Sequence, residues 1–345
     1  MEKNLELVLP NLHFKHTGVT STVSRLLPII EKTLNTVTLG KRIHAESATL
    51  PVWKTLFFPR SKPVIWHARR NSEMLLGIIL KFVFFCNFKL IFTTSKQKPY
   101  SLISQLLISR MDKVIATSKA SQNFLVNESE VIRHGVDTDI YFPCKNKQAL
   151  RQSLKLSSKL LIGCFGRVRP LKGTDIFVDT AIQLLKEHKN YVFIIVGRTN
   201  REFKKFKEQQ LEKILKADLT QNILFFEEVQ NSEIFKWYQS LDLLIAPGRY
   251  EGFGLTPLEA MASGVPAIAF RNVGAYSEQI VNGKTGYIID QIDSKLLVKK
   301  LKELLKDQAS LETLGHQARK HVVKNFNIKS EADSLIDLYR NVLNR

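Results

Sequence analysis

The sequence predicts an α/β chain folded as two Rossmann-like domains that face a cleft. Three observations lead there. Apolar runs of strand length alternate with stretches of helical periodicity from one end to the other. The 345 residues are enough for two cores of ordinary size. A polar, lysine-rich stretch, Cys144–Lys159, reads as a linker holding one short helix, so the first domain is expected to span 1–143 and the second 144–326. Hydrophobic residues at 44% against 24% charged describe a globular chain rather than a disordered one.

In the first domain Leu5–Asn11 reads as a strand, the loop HFKHTGVTST follows, and a helix is expected from about Thr20 to Lys32. Pro63–Asn71 is a strand end opening a polar loop, which would set His67, Arg69 and Arg70 at the carboxyl edge of a parallel sheet. Two adjacent arginines there suit an anionic ligand, though a solvated loop with a locally satisfied histidine fits the same residues. Met74–Phe92 is apolar enough to raise the question of a membrane span, but Lys81, Asn87 and Lys89 interrupt it. A helix over Asn71–Phe85 followed by a core strand at Lys89–Thr93 is the better reading. Next come a helix at Leu102–Arg110, a strand and helix in DKVIATSKASQNFL, and a strand with an exit turn across Glu130–Pro143.

The second domain opens with a strand in Lys159–Leu185, then Gly166-Arg167, then Lys172-Gly173 ahead of an amphipathic helix. Arg167 and Lys172 would put two cations at a strand's carboxyl end, where a diphosphate can lie. Tyr191–Asn200 is a buried strand ending in Gly197-Arg198, and Arg201–Ala217 is a charged helix with a wet face. The central stretch is Tyr250–Phe270. Thr256 suits an N-cap, Pro257 the first helical position and Glu259 the reciprocal place of a capping box. Ser263-Gly264 ends that helix, and Val265–Phe270 is a core strand. Glu251 and Glu259, eight apart, flank a turn whose glycines let backbone amides approach a phosphate. Gly286–Asp290 closes the sheet, and helices follow at about Ser294–Lys306 and Ser310–His321.

The net charge is +19 and is uneven: Lys32–Asn127 holds 15 Lys or Arg and 3 Asp or Glu. A first half this basic is drawn to anionic phospholipid, phosphorylated glycolipid or nucleic acid. No aromatic-interleaved basic motif and no helix-turn-helix signal supports the last of these. Cys86, Cys144 and Cys164 show neither pairing nor metal spacing, and MEKNLELVLPN is unlike a secretory signal, so a cytoplasmic setting is expected.

The stretch EGFGLTPLEAMASGVP, the element Gly166–Gly173 (G-R-x-x-x-x-K-G) and Gly197 together resemble the family 4 retaining glycosyltransferases of GT-B fold. Lys324–Arg345 is similar to their terminal helix, which crosses back to the first domain and would join 327–345 to it. The resemblance implies a nucleotide-sugar donor and no cofactor or metal. It implies that Arg167, Lys172 and the backbone of Phe253, Gly254, Leu255 and Thr256 stabilise the leaving diphosphate. Glu251 would hold donor sugar hydroxyls and Glu259 the ribose, while Gly197-Arg198, Glu228 and Val229 would meet the nucleoside. Gly18, with Thr17, Thr20 and Ser21, stands where the family has a glycine-rich loop beneath the phosphates. Thr94-Ser95 replaces the histidine many members carry near the acceptor, and His134 replaces an asparagine of the junction. Asp137-Thr138-Asp139 spells D-x-D, read here as a turn that needs no metal. GVTSTVSRLLP, VIWHARRNSEM, RMDKVIATS and VIRHGVDT look like the mannosyltransferases of lipopolysaccharide core assembly. That similarity implies GDP-mannose as donor, the Kdo-containing core on lipid A as acceptor, and a peripheral place on the inner face of the cytoplasmic membrane. UDP-glucose or another hexose donor is the alternative, and a basic nucleic-acid-binding protein is the rival from another class.

Overall fold

The structure is a computed structural model that describes residues 4–13, 18–40, 48–58 and 60–344. The chain forms two compact units, Met1–Gly135 with Ile328–Arg345, and Val136–Asn327.

In the first unit the elements run β1 (Leu7–Asn11), α1 (Gly18–Ile30), β2 (Thr36–Gly40), β3 (Thr49–Leu50), β4 (Val64–Ala68), α2 (Asn71–Phe82), β5 (Phe88–Thr94), α3 (Leu102–Ile108), β6 (Lys113–Ala116), α4 (Lys119–Gln122) and β7 (Glu130–Val131). The strands pair in parallel in the order β3-β2-β1-β4-β5-β6-β7. Alternation along each strand divides the core. Trp66, Leu90 and Phe92 point to the face covered by Met74 and Leu80 of α2, whereas Ile65, Ile91 and Ile115 point to the other. That second face is covered by α1 and by the helix Ile328–Leu343. The apolar stretch at Met74–Phe92 resolves into α2 and β5, with Phe85 in the left-handed region at φ 55° between them. Among the described residues no helix is long and apolar enough to cross a membrane.

The second unit continues with α5 (Lys147–Ser153), β8 (Leu160–Phe165), a 3-10 turn at Pro170–Lys172, α6 (Thr174–Leu185), β9 (Tyr191–Val196), α7 (Lys204–Lys216), β10 (Ile223–Phe226), α8 (Ile234–Ser240) and β11 (Leu243–Ala246). It ends with α9 (Thr256–Ala262), β12 (Ala267–Phe270), α10 (Tyr276–Gln279), β13 (Gly286–Ile289), α11 (Ser294–Leu304) and α12 (Gln308–Asn325); α13 (Ile328–Leu343) is the helix already placed in the first unit. The strands run β10-β9-β8-β11-β12-β13, all parallel. Strand order therefore reverses between β8 and β11, and an open parallel sheet binds ligands beyond the carboxyl ends at that reversal. Everything placed by the loops after β8 and β11 shares one crevice.

The short helix expected within Cys144–Lys159 forms as α5, and it is packed into the second unit through Arg151, which is 3% exposed. Arg151 Nε donates to Ser240 O at 2.9 Å, Nη1 to Lys159 O at 3.2 Å and Nη2 to Asp242 at 2.5 Å. The three cysteines are free, and burial pushes the Cys164 thiol up to about 12 despite the nearby charge of Lys172.

Candidate active site

The loop after β8 supplies Gly166 to Gly173 and the loop after β11 supplies Pro247 to Leu255, on either side of the reversal. Gly173 locks the two loops together. It lies at φ +71°, and a Cβ there would fall 1.9 Å from Pro247 O, so only glycine lets the backbones meet. Arg249 N donates to Leu171 O at 2.9 Å across the same contact. Arg249 also grips Asp175 of α6 through two hydrogen bonds, at 2.8 and 2.7 Å. Asp175 resists the upward push of its own burial because that arginine holds its carboxyl below the usual range.

This closure brings Lys172 Nζ onto the Glu251 carboxylate as an ion pair in which both side chains are 23% exposed. The second lane is narrower. Gly197, after β9, stands where a Cβ would lie 2.0 Å from Gly166 O, so the first turns after β8 and β9 press backbone against backbone. Val168 N donates to Arg198 O at 3.0 Å in the same strip. Arg167, Arg198 and Glu228 are exposed above these turns, with Val229 half-buried. Gln279 Nε2 donates to Phe253 O at 3.2 Å and Gly254 O at 2.9 Å, which fixes the turn that precedes α9.

Sequence reasoning passed over Arg169. Its Nε is buried and has no hydrogen-bond partner among the described residues, and the same holds for Thr199 Oγ1 after β9. Burial, then the charge of Arg167, draws the Arg169 pKa down from the ordinary guanidinium value. The signal was present: Arg169 lies between Arg167 and Lys172 in one cation-bearing element. An unsatisfied buried donor beside two further cations is a place prepared for an anion.

The capping box expected at α9 does not form. Leu255 occupies the cap position without a side-chain bond, and Thr256 is the first helical residue. The Thr256 side chain bonds the buried Tyr276 hydroxyl, whose pKa rises well above 10 through burial and then the Glu251 charge. Glu259 is 7% exposed. Its carboxylate accepts from Tyr238 Oη at 2.7 Å and Tyr141 Oη at 3.3 Å. A buried, doubly bonded carboxylate contributes stability that a cap would not. Glu259→Gln is expected to lower unfolding stability by about 1–3 kcal/mol; an unchanged urea midpoint would show that these tyrosine contacts carry no weight.

In the first unit His67 stands at the carboxyl end of β4, as the strand-end reading expects, but it is fully buried, with Nδ1 2.6 Å from Tyr339 Oη and Nε2 2.6 Å from Thr93 Oγ1. Burial, then the charge of Arg69, lowers its pKa well below 6.5, so the ring is neutral. Arg70 is tied to the fully buried Glu73 at 2.7 Å and to Thr20 Oγ1 at 3.2 Å. Thr94 Oγ1 lies 2.6 Å from Tyr100 Oη, and Arg69, Arg70 and Ser95 are half-buried at this sheet's carboxyl edge. His134 Nδ1 meets Glu331 at 2.7 Å. Gly18 begins α1, and Thr17 lies outside the described residues. Asp137 Oδ1 accepts from Asp139 N at 2.9 Å, so the D-x-D carboxylate closes a turn. A groove of about 720 Å³ lies elsewhere, beside the starts of β8 and β9 at Leu160 and Tyr191, at the amino edge of the second sheet.

Two doubly wound sheets, one carrying a lysine–glutamate pair at its reversal, are the build of a GT-B glycosyltransferase. The sequence pattern described as "Glycosyl transferases group 1" matches residues 129–321. A lipopolysaccharide core biosynthesis mannosyltransferase, LpcC of Rhizobium leguminosarum bv. viciae, is 37% identical over 99% of this chain and 97% of its own. Its counterpart LpsB of Rhizobium meliloti (strain 1021) is 37% identical over 99% of both chains. The crystal structure of Anabaena Alr3699/HepE, 17% identical, covers 98% of this chain and 100% of its own with a TM-score of 0.83, which shows a shared fold. The chain belongs to the glycosyl transferases group 1 family.

Proposed function

We propose that the protein transfers mannose from GDP-mannose to the Kdo-containing inner core of lipopolysaccharide, with retention at the anomeric carbon. The observation that carries this reading is the 37% identity, spread over 99% of the chain, to core mannosyltransferases. The geometry supports it chemically. When the anomeric C–O bond breaks, its electron pair leaves with the diphosphate. Arg167, Arg169 and Lys172 surround the place where that charge grows, together with the amides of the Phe253–Thr256 turn. Glu251, steadied by Lys172, orients the sugar hydroxyls, and Glu259 serves the ribose through the floor that Tyr141 and Tyr238 build under it. Gly197, Arg198, Glu228 and Val229 meet the nucleoside. The acceptor hydroxyl attacks the face the diphosphate leaves, and its proton passes to a departing phosphate oxygen. The reading assigns acceptor binding to the first unit, through Arg69 and Ser95, and sets the enzyme on the inner face of the cytoplasmic membrane. No protein cofactor enters these steps.

A thermal-shift panel of GDP-mannose, GDP, UDP-glucose, UDP-GlcNAc and ADP-heptose tests the donor. The guanine compounds are expected to raise the midpoint selectively, by ~2.7 kcal/mol of stabilisation at a hundredfold excess over the dissociation constant. Selective stabilisation by the uridine compounds would remove GDP-mannose and leave the transferase.

A further inference from the structure

We propose that the outer face of α2 and α3 is the surface by which the protein lies on an anionic phospholipid bilayer. Along α2, Leu75, Ile79 and Phe82 recur at helical spacing and are exposed, while Met74, Gly77 and Leu80 face the core. Phe85 follows, 74% exposed in its left-handed conformation. On α3 Leu102 is 83% exposed and Leu106, one turn on, 60%. Asn71 Nδ2 donates to Ser104 Oγ at 2.8 Å, so the two helices form one surface. Cys86 Sγ, 3.8 Å from Thr55 O, draws in the 3-10 turn Val52–Phe57, which adds exposed Trp53. Single exposed apolar residues are ordinary; a cluster on neighbouring helices marks an interaction surface.

Charge selects the occupant. Met74–Asn127 contains seven Lys or Arg and one acidic residue, Asp112. That carboxylate is already taken by Lys81 and by Leu90 N, at 2.7 and 2.6 Å. An apolar face inside a basic field fits the interface of an anionic bilayer, where rings and aliphatic tips enter the acyl boundary and lysines meet headgroups. A second copy of the chain would set like charge against like charge. The assignment deepens the proposed function, since a glycolipid acceptor lies in such a bilayer, but its test needs neither donor nor acceptor.

Full-length protein is sedimented with vesicles of phosphatidylcholine alone and of phosphatidylcholine with phosphatidylglycerol, while tryptophan emission is recorded. Binding is expected to the second only, with a blue shift from Trp53 that is absent in Trp53→Phe, since Trp66 is fully buried and Trp237 is half-buried in the second unit. The triple variant Phe85→Asn, Leu102→Ser, Leu106→Gln is expected to lose at least tenfold in partition at an unchanged melting temperature. Phe82→Ser alone gives a smaller loss and covers the case in which the triple variant does not fold. Failure of the wild type to bind phosphatidylglycerol vesicles would overturn the proposal. So would equal binding of wild type and variants, or a variant effect on self-association in place of vesicle binding. Loss of transfer in any donor assay would leave this result standing, and the reverse holds too.

Discussion

Glu251→Ala is expected to lower the turnover of glycosyl transfer by about a hundred- to a thousandfold. The carboxylate reaches the crevice from the β11 loop, and its partner Lys172 reaches it from the β8 loop. On the proposed reading, removing it deprives the donor sugar of an orienting group, and it takes from Lys172 its ion-pair partner. Stability should hardly move, since a pair with this much solvent contact contributes about 0–1 kcal/mol. Initial rates with the donor fixed by thermal shift, set beside urea unfolding of the same preparations, separate the two effects. Turnover within tenfold of wild type would remove Glu251 from the reaction. Glu251→Gln keeps the shape and loses the charge, so it reports whether the pairing with Lys172 or hydroxyl binding matters more.

Arg151→Ala acts at the other extreme, on stability. The arginine ties α5 to the β8 start and to the α8–β11 connection through Lys159 O, Ser240 O and Asp242. Asp242 also accepts from Lys147 Nζ at 3.0 Å and Leu161 N at 2.7 Å, so its charge stays in place when the arginine goes. Breaking a buried pair from one side costs about 3–5 kcal/mol. Urea unfolding followed by circular dichroism should show a loss of that order, with Arg151→Lys restoring a part, because one ammonium cannot span the separated acceptors. A loss below about 1 kcal/mol would mean that α5 docks by other contacts.

What could be read in advance follows from how far apart the partners are in sequence. Apolar runs showed the strands of the second sheet and most of the first, but not β3 at its edge or β2 beside it, and the turn from Glu251 to Thr256 showed itself through local glycine and proline placement. The Gly166–Gly173 element was equally local. The linker stretch showed its short helix but not the buried tie of Arg151, whose main partner lies 91 positions away. Glu259 looked like a cap because nothing nearby announces Tyr141, 118 residues before it. The strand end at His67 was legible, but its burial was not, because Tyr339 follows it by 272 residues. Polar residues whose partners are distant carry no periodicity, so pattern alone assigns them to solvent. Arg169 is different: its neighbours in sequence held the clue, and only the orphaned Nε brought it out.

The helix α13 has a consequence for how the chain is made. Leu335, Ile336, Tyr339 and Val342 complete one face of the first sheet, yet they are made only after the whole of the second unit. During synthesis Leu7, Ile65 and Ile91 therefore wait with α1 alone as cover while the continuous second unit, Val136–Asn327, emerges with every strand it needs. Folding order and chain order are reversed for the two halves. The half made first depends on a helix made after the second, and any chain ending before Ile328 would display a partly uncovered apolar sheet face to chaperones and proteases.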